Sequence, residues 1–265
     1  MAYLPTIITS SPEAAIRAMH LIEEVRKNPI PGEARILGIH LEGPSISFEK
    51  RGVHPIEHLA LLNLDHMKRL LAAGQVKEVT VAPELPGVLD LIKFLVDEGI
   101  LISLGHSAAT LEEAEAGFNA GARTVTHLFN GMHRPPFKNL AQVALEREDV
   151  IIQIIVDAVH VPKDLLAETL PRIMNRFIVT NDTVAAAGIG NGTFPFGDME
   201  ITISNGEARR TDGTLAGGIG TLNQSLQMLK ELGVSDEIAL SSVTTRPALN
   251  RDGLAHSLQG TRHDS

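Results

Sequence analysis

The 265-residue sequence contains no cysteine. A chain without thiols forms no disulfide framework, and any transition-metal site in it has to be built from imidazole and carboxylate. Long hydrophobic runs are lacking as well: the apolar stretches break within about ten residues, too short for a membrane span. Basic blocks are missing too. Asp and Glu outnumber Lys and Arg by 32 to 23, for a formal charge of -9, and no basic stretch is interleaved with aromatic residues. Nucleic acid and anionic membrane are therefore excluded as expected partners. The opening Met1-Ala2-Tyr3-Leu4-Pro5 has neither the basic region nor the cleavage site of a signal peptide. A cytoplasmic location is the expectation compatible with these absences.

What the chain does have is a repeated pattern of short apolar runs that end on chemically active side chains. Residues 35–41 are rich in branched apolar side chains and stop at Glu42-Gly43-Pro44, which reads as a buried strand with a carboxylate at its C-terminal edge. Residues 100–105 lead into His106, residues 123–126 into His127, residues 151–156 into Asp157 and His160, and residues 176–180 into Asn181-Asp182. Counting also the runs ending near residues 9 and 82, seven strands of this kind are expected, separated by helices in compact strand-helix units. Parallel strands curled into a barrel bring such ends to one mouth. The predicted fold is thus a (β/α)8 TIM-type barrel, one strand short, filling residues 1–249.

Local signals support the intervening helices. Ser10-Ser11-Pro12-Glu13 starts a helix over 12–27, with Ala15, Met19, Ile22 and Val25 on one face. Residues 56–73 and 87–98 carry the same periodicity. Thr110 with Glu113 forms a capping box for a helix to Asn119. After Asp182 the pattern changes to Gly-rich loops and a hairpin turning at Asn205-Gly206. Helices over 220–232 and 235–243 follow, and a frayed tail is expected over 250–265. The run Gly188-Ile189-Gly190-Asn191-Gly192 has no strand-plus-helix context, so it supports no nucleotide site.

Of the 11 histidines, most are expected to pack or cap. His106 and His127, at consecutive strand ends, are the metal candidates, and with Glu42 they leave one position for water. That set suits one divalent ion, Zn2+ first, with Fe2+ and Mn2+ open, acting as a Lewis acid. Asp182 is either a loop cap or the base that takes a proton from water and returns it to a leaving nitrogen. His160 is either bonded to a rim carbonyl or a donor to substrate. His40, two residues before Glu42, is expected in the core behind the site rather than as a ligand.

Taken in order, His40-Leu41-Glu42-Gly43-Pro44, Gly105-His106-Ser107, Thr126-His127-Leu128-Phe129-Asn130-Gly131-Met132, Asp157-Ala158-Val159-His160, Thr180-Asn181-Asp182 and Gly213-Thr214-Leu215-Ala216-Gly217 resemble the N-acetylglucosamine-6-phosphate deacetylase family of the amidohydrolase superfamily. The resemblance implies that the barrel is of the metal-dependent hydrolase class, with metal ligands at Glu42, His106 and His127, a substrate-orienting His160 and an acid/base Asp182. It also implies a rim histidine at His54 and a sugar-contacting pair at Asn130-Gly131. The implied activity is hydrolysis of the N-acetyl group of N-acetylglucosamine 6-phosphate, with the phosphorylated amino sugar as partner. Departures from the family pattern are specific. The accessory β-sandwich and first barrel strand are absent, residues 250–265 look unrelated, and the family's serine after Ala-Gly is Gly218. The phosphate segment reads His133-Arg134-Pro135-Pro136-Phe137-Lys138, leaving Arg134 or Lys138 to supply positive charge. A missing strand exposes barrel edges, so a homo-oligomer or a local rearrangement is expected. The rival expectations are another amidohydrolase reaction, on an unphosphorylated N-acyl sugar or a cyclic amide, and a non-enzymatic fragment.

Overall fold

The computed structural model describes residues 2–59, 64–136, 138–197 and 199–251. Its first strand, β1 (Ala2–Tyr3), pairs parallel with β3 (Arg35–Ile36) at one margin of the molecule. The main sheet holds β2 (Thr6–Ile8), β4 (Ile39–Glu42), β5 (Val76–Val81), β6 (Leu101–Leu104), β7 (Thr124–Val125), β8 (Ile151–Ile154) and β9 (Phe177–Val179). These seven strands follow one another in that order, every neighbour parallel. Among the described residues β2 and β9 do not pair with each other. The result is a curled parallel sheet, a (β/α)8 barrel short of one strand.

Strand-to-strand connections run through α1 (Pro12–Lys27), α2 (Leu64–Ala73), α3 (Val88–Asp97), α4 (Leu111–Asn119), α5 (Leu140–Glu146) and α6 (Lys163–Ile173). Their start signals work as read. Ser11 accepts the N–H of Ala14, and Thr110 and Glu113 close the capping box, each cap contributing about 1 kcal/mol. Between these helices and the sheet lies one apolar core in which Met19, Ile39, Leu91, Leu104, Phe118, Ile152, Leu166 and Phe177 are all buried. Residues 56–73 are not one helix: Ile56–His58 is a single 3-10 turn followed by an extended Leu59, α2 is described over Leu64–Ala73, and residues 60–63 lie outside the described set.

Inside the curl the filling is polar rather than the branched apolar layers usual for such barrels. His40 bonds through Nδ1 to Thr6 Oγ1 (2.9 Å) and through Nε2 to Thr80 Oγ1 (2.8 Å). Thr80 continues to Thr126 (2.8 Å), which meets Ser103 (2.5 Å), while Gln153 donates to buried Glu78 (2.6 Å). Both ring nitrogens of His40 are thereby used, which keeps it behind the site as expected.

Beyond β9 the chain builds a four-stranded antiparallel sheet from β10 (Gly192–Phe196), β11 (Met199–Ser204), β12 (Glu207–Arg209) and β13 (Leu215–Gly217). Its small core includes Val184, Ile201, Ile203 and Ala208 and reaches Val53 of the loop after β4. β10 falls where the glycines at 188, 190, 192 and 197 predict a loop; the strand accommodates Pro195 by lying at the sheet edge. The chain finishes with α7 (Leu222–Glu231), α8 (Asp236–Val243) and α9 (Thr245–Arg251). Asn250 is buried in α9, so helix rather than frayed tail occupies residues 250 and 251, and residues 252–265 lie outside the described set. From α9, Arg246 stacks over the Phe177 ring (5.1 Å) and donates to its carbonyl (3.1 Å) at β9, the last strand of the sheet.

Candidate metal centre

The C-terminal ends of β4, β6, β7 and β9 deliver Glu42, His106, His127 and Asp182 to one mouth. The chain turns sharply after each of them. Gly43 adopts a positive φ of 86°, and a Cβ there would run into Thr9 Oγ1. The three following groups turn on themselves, with φ of 45° at His106, 29° at His127 and 49° at Asp182. Side chains other than glycine rarely accept this conformation, at a cost of about 1–3 kcal/mol each, and such strain collects at functional sites.

Glu42 Oε1 stands 3.1 Å from His106 Nε2 and 2.9 Å from His127 Nε2, and the two nitrogens are 3.1 Å apart. All three residues are buried. His106 donates its Nδ1–H to the Lys50 carbonyl (2.7 Å), so its Nε2 carries a lone pair into the cluster. A tetrahedral ion with bonds of about 2.0–2.1 Å holds its ligand atoms about 3.3 Å apart, so this donor set accepts a divalent cation with little spreading. The electrostatics agree. Burial works to raise the Glu42 pKa, but hydrogen bonds and charge from His106 and His127 outweigh it and hold the carboxyl well below its usual range. Burial likewise opposes a charged His127, yet Glu42 and then Asp182 bring it up to about 9. The site draws positive charge.

Asp182 is pushed up by burial and, next, by the Glu42 carboxylate, with His127, His160 and His106 pulling the other way. Its backbone is anchored by Gly218, whose N–H reaches the Asp182 carbonyl (2.6 Å). A Cβ on Gly218 would collide with the Asn181 carbonyl, which explains glycine at this position. His160 donates Nδ1–H to Asp157 Oδ2 (2.7 Å), while Asp157 Oδ1 accepts the N–H groups of Val159 and His160 (both 2.8 Å). The other ring nitrogen, Nε2, is buried without a hydrogen-bond partner. Beside it opens a cavity of about 390 Å³ lined by Asn181, Glu207, Gly217, Gly218, Thr221 and Gln224. This cavity touches His160 but not Glu42, His106 or His127.

His54 is nearly fully buried, not loosely placed on the rim. Its Nδ1 accepts the N–H of Thr9 (3.3 Å), which puts the proton of a neutral ring on Nε2, 3.7 Å from Glu42 Oε2. Burial, helped by His106, lowers its pKa to about 3, so it remains neutral.

Comparison with known proteins agrees with this geometry. No family model matches the chain. It is 34% identical over 265 residues to human N-acetylglucosamine-6-phosphate deacetylase, covering 93% of this chain and 63% of that protein. With the N-acetylgalactosamine-6-phosphate deacetylase of Escherichia coli it shares 30% identity over 97% of this chain and 70% of that one. A solved mutant of the Mycobacterium smegmatis N-acetyl-D-glucosamine-6-phosphate deacetylase, in complex with N-acetyl-D-glucosamine-6-phosphate, superposes with a TM-score of 0.86 at 30% identity, over 94% of this chain and 67% of that chain. The chain belongs to the N-acetylglucosamine-6-phosphate deacetylase family. It spans just under two thirds of the length of its human relative.

The remaining residues expected from the deacetylase family resemblance divide. Asn130 turns its amide onto the carbonyls of His127 (3.3 Å) and Leu128 (3.4 Å). Gly131 lies under the His106 ring: with φ of 56°, its Cβ would stand 2.6 Å from His106 Nδ1. Arg134 bridges two loops, donating to the carbonyls of Phe129 (3.2 Å) and His160 (2.6 Å), and both Arg134 and Lys138 are exposed. Two contributors had no signal in the sequence: the Lys50 carbonyl and Thr9. The first is a backbone atom, and the second acts through residues far from it in the chain.

Proposed function

We propose that this chain hydrolyses the N-acetyl group of N-acetylglucosamine 6-phosphate, giving glucosamine 6-phosphate and acetate, with Zn2+ as the preferred ion. The observation that carries the reading is the convergence of Glu42, His106 and His127 on one point in the mouth that Asp182 shares. A divalent ion held by those three groups supplies Lewis acidity, polarising a carbonyl and lowering the pKa of water. Asp182, its pKa raised by burial and by Glu42, is suited to accept a proton from the attacking water and pass it to the departing amine. The neutral Nε2–H of His54 faces Glu42 and serves as donor to a substrate oxygen. His160, fixed by Asp157, offers Nε2 as an acceptor for a sugar hydroxyl when neutral, or as a donor to a carbonyl or phosphate oxygen when protonated. Arg134 and Lys138 supply positive charge for the phosphate, with Asn130 and Gly131 along the sugar. A cytoplasmic location and self-association across the open side of the barrel complete the reading; no described helix is long and apolar enough to cross a membrane.

One observation favours a second reading. Arg134 is tied to two carbonyls, which leaves it fewer free donors for phosphate and would suit an unphosphorylated N-acyl sugar. Acetate release measured on N-acetylglucosamine 6-phosphate, N-acetylgalactosamine 6-phosphate and unphosphorylated N-acetylglucosamine separates the readings. Turnover of the first well above the third is expected. Equal rates on phosphorylated and free sugar would support the second reading, and no acetate from any of them with metal supplied would end both.

A further inference from the structure

Glu84, three residues beyond β5, makes two short hydrogen bonds to the loop that carries His106. Its Oε2 accepts from Ser107 Oγ (2.7 Å) and its Oε1 accepts from the Ala108 N–H (2.7 Å). Ser107 Oγ also accepts the Ala109 N–H (3.0 Å), and the Ser107 N–H is held by the Gly131 carbonyl (2.9 Å). On the other side, the His106 carbonyl takes the Ser47 N–H (2.8 Å) and its Nδ1 is fixed on Lys50. A histidine with φ of 45° is thus clamped between two loops. Only on the Ser107 side is the clamp a charged group, and charge-assisted hydrogen bonds are about twice as strong as neutral ones.

We infer that Glu84 is a positioning residue for the metal: by fixing residues 107 and 108 it keeps the His106 backbone left-handed and so aims Nε2 at Glu42 and His127. The inference rests on the reading of Glu42, His106 and His127 as a metal site. An ordinary loop cap would contribute stability alone, whereas a group that aims a ligand changes affinity for the ion; direct partners of a ligand are worth about 10–100-fold, and Glu84, bonded one residue away from His106, about the lower end of that range.

The test measures Zn2+ dissociation constants by chelator competition, together with thermal midpoints of the metal-free proteins, for wild type, Glu84→Ala, Glu84→Gln and Ser107→Ala. Glu84→Ala is expected to weaken Zn2+ binding about tenfold. Glu84→Gln keeps one acceptor oxygen and should recover part of that loss. Ser107→Ala, which removes one of the two bonds and keeps the carboxylate, should fall between wild type and Glu84→Ala. If Glu84→Ala is folded and binds Zn2+ within twofold of wild type, the inference is overturned. Should Glu84→Ala not fold, Ser107→Ala decides alone: a lowered thermal midpoint with unchanged Zn2+ affinity reduces Glu84 to a loop cap. Failure of wild type to bind Zn2+ would instead remove the metal reading, a result visible before any variant is compared.

Discussion

Two carboxylate–imidazole arrangements stand in the same mouth and are built for different work. Glu42 meets two rings through their Nε2 atoms, at 3.1 and 2.9 Å, so that three electron-rich atoms converge on one point. Asp157 meets one ring through Nδ1 at 2.7 Å and spends its other oxygen on two backbone N–H groups, so His160 Nε2 is left buried without a partner. Both pairs are buried on the imidazole side, and both use the ordinary attraction of a carboxylate for an imidazole. What separates them is how many ligand atoms converge. Three favour a cation, while a single fixed nitrogen favours a hydrogen bond to substrate.

Substitutions at the two arrangements should therefore break different quantities. The largest effect is expected at His127→Ala, which removes one of three ligand atoms. Lewis acidity worth several kcal/mol disappears with the ion, so turnover should fall about 10³-fold or more, and elemental analysis should find the metal gone. Asp182→Asn comes next. It retains the shape of the carboxylate but accepts no proton, so kcat should fall about 10²-fold with metal content unchanged. Metal lost together with turnover would move Asp182 into the ligand set.

Asp157→Asn tests the second arrangement. It weakens a charge-assisted bond worth about 1.5–3 kcal/mol, so kcat/KM should drop about tenfold through misalignment of His160, and Zn2+ affinity should stay at the wild-type level. A change in Zn2+ affinity here would mean that the two arrangements are not independent. Gly131→Ala sharpens the comparison from the other side. Its Cβ would press to 2.6 Å of His106 Nδ1 at a positive φ, so about 1 kcal/mol of stability should be lost, and Zn2+ binding should weaken while His160 is untouched.

Much of the barrel was readable because each strand is a short apolar run stopped by a chemically distinct residue. Runs expected to end near 9, 41, 82, 105, 128, 157 and 181 correspond to β2 and β4 through β9, since branched side chains bury and glycine, proline or histidine end them. The Glu42, His106 and His127 cluster was readable for the same reason: parallel strand ends share one rim. Less visible was everything that depends on backbone atoms or on distant loops. The Lys50 carbonyl that orients His106 carries no side-chain signature, and the bonds from Arg134 to the carbonyls of Phe129 and His160 depend on how two distant loops meet. β10 was hidden by the glycines that punctuate it, and the helix over Thr245–Arg251 by a sequence with little periodicity. Gly131 fits against His106 because of a backbone conformation that composition does not reveal.

The central claim is that Glu42, His106 and His127 together hold one divalent ion. Zn2+ titration of the metal-stripped protein by isothermal calorimetry, with the His127→Ala protein in parallel, tests it most directly. One tight site per chain in the wild type, absent from the variant, is the expected result. Tight binding that survives His127→Ala, or no binding to the wild type, would contradict it.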